Sequence, residues 1–375
     1  MKQMTFDKVI GQYRVKNMIS SALDRKRLSH AYLFHGPPGV GKDVLALRIA
    51  MGLNCMNGHS QGCGECAHCN QIQKLEYPSF RMILPLPSRP KSMNQEKYNT
   101  LVREKTLDRI ENPYREISFA PEITSLTSIG IDQIRTLKHD VVLKQQSGQS
   151  RVFIISHAEQ MTVPAANSLL KLLEEPPPGT TLFLTTSAPG RILPTITSRC
   201  QTIRFDVLSE VDIEKALTDQ WQFDEDNAQF FSRMSGGSIQ RALEMADKNF
   251  EQLRTAAWDF LTISLQGNHI KRLDICDTMI QSHEKAGMHY IFQLLLAWLR
   301  DLLCLKAGVP EKIINQDRET VLENFLLQYE DLNLESALLN TEHAIASLKK
   351  NVYLNLIVHT LSQQLNRLAT KRYQP

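Results

Sequence analysis

The sequence predicts an α/β fold, a doubly wound parallel sheet of five strands, continued by an all-α C-terminal region. Three observations predict it. Four short, largely apolar runs at residues 31–35, 80–86, 151–156 and 181–187, and a fifth strand candidate at 201–205, are separated by stretches that include helical spacing. The first run leads directly into a glycine-rich loop, "HGPPGVGKD", that opens a helix. Beyond Phe205 the strand pattern ceases, and apolar residues recur at helical intervals.

A chain of 375 residues exceeds one ordinary core, so two or three domains are expected. Its 42% hydrophobic and 22% charged residues are those of a globular protein. A net charge of +3 neither demands nor excludes nucleic acid, so any basic surface must be local. The N-terminal "MKQMTFDKVIGQY" does not read as a signal peptide, and no later run reads as long and apolar enough to cross a bilayer. A cytoplasmic protein without a membrane partner is therefore the expectation.

In chain order, "AYLFH" (31–35) is the first strand and "KDVLALRIAMGL" (42–53) the helix after the loop. "FRMILPL" (80–86) is the second strand. Residues 87–117 interrupt the alternation with a polar, charged stretch, read as a solvated excursion with one surface helix or, more sharply, as an arm that contacts a partner or DNA. "RVFIIS" and "TLFLTTS" follow as strands. Between them lies "TVPAANSLLKLLEEPPP", where Thr162 suits an N-cap, Pro164 a first turn and Pro176 a stop. "QTIRF" is the fifth strand. Residues 207–247 read as a small helical unit with a break at Gly236-Gly237, and 248–375 as a helical bundle suited to assembly.

The glycine loop carries the first chemistry. Gly36, Gly39 and Gly41 let backbone N–H groups approach phosphate oxygens, and Lys42 would reach the β- and γ-phosphates. The pattern calls for Ser or Thr next, to hold Mg²⁺, but the residue is Asp43. A carboxylate can ligate Mg²⁺. It would also repel triphosphate by about 4 kcal/mol per charge pair at short range. Two readings stay open here: a loop retained for packing, or weak or hydrolysis-incompetent binding of ATP or ADP. The strand "RVFII" should end in an acidic pair that holds Mg²⁺ and orients water. It ends instead in Ser156 and His157, with Glu159 on the next turn. Two altered metal-handling positions argue against Mg²⁺ and against hydrolysis.

Four of the seven cysteines, Cys55, Cys63, Cys66 and Cys69, are spaced C-x₇-C-x₂-C-x₂-C. In a reducing compartment this predicts a closed, structural tetrathiolate zinc site, with His59 and His68 as substitute ligands. "RTLKHDVVLKQQSGQSR" (135–151) is a basic helix and turn, read from charge alone as a solvated face.

The motifs "HAYLFHGPPGVGKD", the cysteine cluster, "SIGIDQIRTLKHDV", "AANSLLKLLEEPP" and "LPTITSRCQTIRF" occur in this order. Together the chain resembles bacterial sliding-clamp-loader subunits of the AAA+ class, over roughly residues 5 to 245. Among them it looks more like the delta-prime type of DNA polymerase III than the gamma/tau motor. The resemblance implies an α/β nucleotide-binding-like domain over 1–206 with its zinc module at 55–69, a lid over 207–247 and a collar-like oligomerisation domain over 248–375. It implies that Arg199, within Ser198-Arg199-Cys200, reaches the γ-phosphate of a neighbour's ATP as an arginine finger. It gives Thr186 or Ser187 as a γ-phosphate sensor and puts Gln240 where the lid arginine belongs, with Arg241 one residue late. The implied partners are gamma/tau and delta in a hetero-pentamer, with the sliding clamp and primer–template DNA reached through the complex. The favoured reading is a non-hydrolysing subunit of the polymerase III holoenzyme. The rivals are an active gamma/tau-like ATPase with an altered Mg²⁺ site and a zinc-containing DNA-binding protein with a relict fold.

Overall fold

A computed structural model describes residues 6–25, 27–89, 93–117, 119, 126–142, 150–247, 250–348, 350 and 352–370. The chain divides into two compact units, Met1–Ala228 with Ser235–Ala242, and Gln229–Met234 with Leu243–Pro375.

The first unit is built on a parallel sheet. Its strands are β1 (Ala31–His35), β2 (Phe80–Ile83), β3 (Arg151–Ile155), β4 (Thr180–Thr186) and β5 (Gln201–Arg204), in the spatial order β2-β3-β4-β1-β5. All four neighbouring pairs are parallel, with Leu33 opposite Leu184 and Ile154 opposite Phe183. Parallel strands need crossovers, which place helices on both faces and require apolar residues on both. β4 is accordingly buried at all seven positions. On one face Leu33, Phe153, Ile155 and Leu182 join Ile134, Leu169 and Leu173 in one core. Tyr32 stacks on Phe183 at 5.4 Å, and Phe34 packs against Phe205 at 5.1 Å.

The helices of this unit begin with α1 (Tyr13–Asp24), α2 (Lys42–Leu53), α3 (Ala67–Gln73), α4 (Gln95–Glu111), α5 (Ile131–Val142) and α6 (Val163–Glu174). α6 starts as its sequence directs: the Thr162 hydroxyl accepts from the Ala165 amide at 3.4 Å, and Pro164 sits in the first turn. The five strands lie where the sequence candidates put them. The second is shorter than expected, because Leu86 and Pro87 leave the sheet and pair antiparallel with Thr127 and Ser128.

Residues 87–117 depart most from expectation. The segment contains α4, capped by the Asn94 side chain on the Lys97 amide, and is not wholly solvated. Thr106, Arg109 and Ile110 share one face at i, i+3, i+4 spacing and are buried. Residues 143–149, the second half of the basic stretch, lie outside the described residues. In its first half Asp140 pairs with Arg81 at 2.9 Å, so that face is not uniformly cationic.

α7 (Pro194–Thr197) precedes β5; α8 (Glu210–Trp221), α9 (Glu225–Met234) and α10 (Ile239–Ala246) follow it. The second unit contains α11 (Phe250–Leu265), α12 (His269–Ser282), α13 (Lys285–Lys306), α14 (Glu319–Gln328), α15 (Leu334–Leu348) and α16 (Leu354–Thr370). Phe260, Phe292, Leu295, Leu299, Val358 and Leu365 form its interior. Within α13, Gly287–Lys306 is long and apolar enough to cross a membrane by composition, which corrects the expectation of no such run. Here 56% of that window is buried inside the protein. The buried Asp301 on it accepts from the Ile314 and Asn315 amides at 2.8 Å, tying the helix to the bundle. The Arg254 guanidinium lies over Trp298 at 5.2 Å and bonds Asn315 at 2.8 Å. A buried cation therefore has both a π-face and an acceptor.

Candidate functional site

The glycine loop lies between β1 and α2, at the carboxyl ends of the strands, where ligands bind in open α/β sheets. Gly39 and Gly41 have φ of 72° and 94°, the left-handed region that a side chain disfavours. The loop is nonetheless folded onto its own chain. Lys42 Nζ donates to the carbonyls of Gly36 and Pro37 at 2.8 and 2.6 Å. Burial pushes the Lys42 ammonium down to about 8, against the pull of Asp43 and Glu159.

Asp43 is 5% exposed, at the start of α2. An unpaired carboxylate there would be costly, and four donor contacts meet it. Arg109 donates to Oδ2 from Nε at 2.9 Å and from Nη2 at 2.5 Å. The Ser156 hydroxyl donates to the same oxygen at 2.5 Å, and the Thr185 hydroxyl donates to Oδ1 at 2.5 Å. Burial alone would raise the carboxyl's pKa. Arg109, His157 and the two hydroxyls outweigh it and hold the group well below the carboxylate range. A guanidinium thus lies on the carboxylate that would otherwise face a divalent cation.

The degenerate acidic pair joins the same cluster. Ser156 directly follows β3 and is fully buried. His157 follows at φ 51°, ψ 51° and brings Nε2 to 3.4 Å from Arg109 Nη2. Its Nδ1 is 3.7 Å from Glu159, which also accepts from the Ser187 hydroxyl at 3.0 Å. Burial would raise the Glu159 carboxyl, but His157 and Thr186 bring it down to about 2. Ser187 therefore engages Glu159, and Thr185, one residue before the expected Thr186, engages Asp43.

The segment around Gln240 closes the remaining side. The Ile239 amide donates to the Gly39 carbonyl at 3.2 Å. A Cβ on Gly39 would lie 2.3 Å from the Ser238 hydroxyl and 2.5 Å from Gln240 Cβ. Gln240 faces the loop and Arg241 is exposed. A cavity of about 30 Å³ remains between the loop, Arg109, His157 and Gln240. That is room for about two or three water molecules, whereas small-ligand pockets occupy roughly 300 Å³ or more.

Sequence reasoning missed Arg109 and Thr185. No local signal marked either: the burial of Asp43, which calls for a cation, is visible only in the structure.

The four cysteines converge as their spacing requires. Their sulfurs all lie within 4.8 Å of one another, with Cys63 Sγ and Cys69 Sγ at 3.9 Å. A tetrahedron of Zn–S bonds near 2.3 Å has edges of about 3.8 Å, so the donor set fits Zn²⁺. The Cys66 amide donates to Cys63 Sγ at 3.2 Å, a contact suited to a thiolate. His59 is outside the cluster, and His68 Nδ1 lies 2.9 Å from the Asn54 carbonyl, so neither is needed as a ligand. The module packs closely on α2: a Cβ at Gly52 would meet the Ser60 carbonyl oxygen at 1.7 Å.

Ser198, Arg199 and Cys200 lie between α7 and β5. Cys200 packs against the sheet core, and burial pushes its thiol up to about 12, so it anchors the turn. Arg199 Nη1 donates to the Thr195 carbonyl at 2.9 Å and to the Ser198 hydroxyl at 3.3 Å. Its Nη2 pairs with Glu174 at 2.7 Å, and its side chain is 35% exposed.

A parallel five-stranded sheet, a strand–loop–helix phosphate motif and a helical segment folded over that loop define a protein of the AAA+ class. In this one the corner beside the loop is largely occupied by its own side chains. The family model described as "DNA polymerase III, delta subunit" matches residues 11–209, more than half of the chain, which belongs to that family. DNA polymerase III subunit delta' of Bacillus subtilis is 28% identical over 94% of this chain and 94% of its own length. Subunit delta' of Pseudomonas aeruginosa is 34% identical over 47% of this chain and 43% of its own. Subunit tau of Bacillus subtilis is 28% identical over 65% of this chain, which spans 37% of that protein.

Proposed function

We propose that this chain is a non-hydrolysing delta'-type subunit of the bacterial sliding-clamp loader. Its α/β domain (1–206) and lid (207–247) form an AAA+ module, and residues 248–375 form a collar-like oligomerisation domain. The partners are gamma/tau and delta in a cytoplasmic hetero-pentamer, through which it serves the sliding clamp and primer–template DNA. The observation that carries the reading is the buried Asp43–Arg109 pair beside a cavity of about 30 Å³. Phosphoryl transfer depends on a metal and positioned charge, and Arg109 occupies the face of Asp43 that a metal would use. Zn²⁺ on Cys55, Cys63, Cys66 and Cys69 is structural, because four protein ligands leave no open position. Arg199 is the contribution to catalysis, made in trans to a neighbour's ATP.

Two measurements test this. The purified chain should turn over Mg²⁺-ATP at background rate; turnover that Lys42→Ala abolishes would overturn the reading. In the reconstituted loader, Arg199→Ala should lower DNA-stimulated ATPase by at least about tenfold without loss of assembly. An unchanged rate would remove the finger role.

A further inference from the structure

We infer that Glu174 is the positioning residue for Arg199: it presets the orientation of the guanidinium before a neighbouring subunit arrives. The inference rests on the trans-acting role of Arg199 proposed above.

Glu174 is the last residue of α6 and Glu175 caps it, so two acids stand at the negative end of a helix dipole. That placement disfavours the helix by roughly 0.3–1 kcal/mol per charge. Helix stability therefore does not explain an acid at position 174. The ion pair gives it a purpose. Glu174 Oε1 lies 2.7 Å from Arg199 Nη2, while the Thr195 carbonyl and the Ser198 hydroxyl take Nη1. Three oxygens from three residues thus hold a side chain that would otherwise sample many rotamers. Both members remain accessible, at 35% and 49% exposure, so the pair is not a core contact.

α6 ties this corner to the degenerate site. Its twelve residues span about 18 Å. At its start the Thr162 amide donates to Ile129, and Ile129 donates to Gln160, next to Glu159. Along its length Leu169, Leu172 and Leu173 are packed in the sheet core beside Cys200. The carboxylate is consequently delivered by a rigid element, the condition under which orientation lowers a barrier.

The test uses the full reconstituted loader and measures steady-state ATPase with primed DNA, assembly by gel filtration and the melting temperature of the free chain. Glu174→Gln should reduce kcat about tenfold with KM for ATP, assembly and melting temperature unchanged. It should have no further effect when combined with Arg199→Ala, and Glu174→Asp should recover part of the rate. If Arg199→Ala lowers kcat and Glu174→Gln does not, the positioning role is wrong and the finger stands. If Glu174→Gln is equally harmful in the Arg199→Ala background, Glu174 acts independently and the inference is overturned. If Arg199→Ala changes nothing, both proposals fall together.

Discussion

Asp43 and Arg109 are 66 residues apart in sequence and share one buried ion pair. Removing one partner of such a pair leaves an uncompensated charge. Arg109→Ala should therefore destabilise the chain by about 3–5 kcal/mol in urea unfolding. Asp43→Ser with Arg109→Met replaces both charges, and should recover at least half of that loss. A double variant no more stable than Arg109→Ala would show that the pairing is not what stabilises this corner. The pH dependence has a defined sign. Asp43 has a depressed folded pKa, so its contribution is fully present above the unfolded value near 3.9. It is lost as pH falls through the lower folded value, because the unfolded chain takes up the proton first. Between about pH 5 and pH 2 the wild type should lose stability more steeply than the double variant, read from urea midpoints. At this scale the sequence was half legible. Asp43, Ser156 and His157 stand out against a motif, but their partner does not, because nothing local marks Arg109 as the side chain that returns to them.

The elements were the most legible part, for physical reasons that differ among them. Strands buried on both faces are near-continuous apolar runs, and β1, β3 and β4 were readable as such; β5, exposed at three of its four positions, was legible only by its place after them. Thr162 and Pro164 marked the start of α6 because a helix leaves its first amides unpaired. α4 was read as a surface helix because its buried face is narrow and includes an arginine, which carries no hydrophobic signal. α13 was the converse: its apolar residues belong to a bundle interior, which resembles a membrane span by composition alone. The cysteine module was legible because its spacing is itself the ligand geometry. The purified chain should contain one zinc per molecule by elemental analysis. Cys69→Ser should abolish it and cost more than about 3 kcal/mol in stability. Zinc content unaffected by that change would place the metal elsewhere or make the cluster a set of free thiols.

On the scale of the whole molecule, the alternation of strands and helices located the phosphate loop, and the family's motifs pointed to Arg199 as the proposed trans-acting arginine. What neither could give was the closure of the loop. It depends on three segments distant in sequence, around residues 43, 109 and 240, meeting at one point. That closure makes a thermodynamic prediction separate from turnover. A ligand that binds only the folded state stabilises it by RT ln(1 + [L]/Kd), about 2.7 kcal/mol at a hundredfold excess over Kd. A working phosphate loop should therefore register Mg²⁺-ATP or ADP as a clear rise in melting temperature. Here the cavity of about 30 Å³ must open before phosphate can enter, and the Asp43–Arg109 contact must be broken or bypassed. Millimolar nucleotide should leave the wild-type melting temperature within a degree. Asp43→Ser with Arg109→Met, which removes the internal cation and restores a hydroxyl, should gain a nucleotide-dependent shift of about two degrees or more. A shift of that size in the wild type would mean that the loop opens readily and still holds nucleotide. The absence of turnover proposed above would then have to come from the altered acidic pair alone.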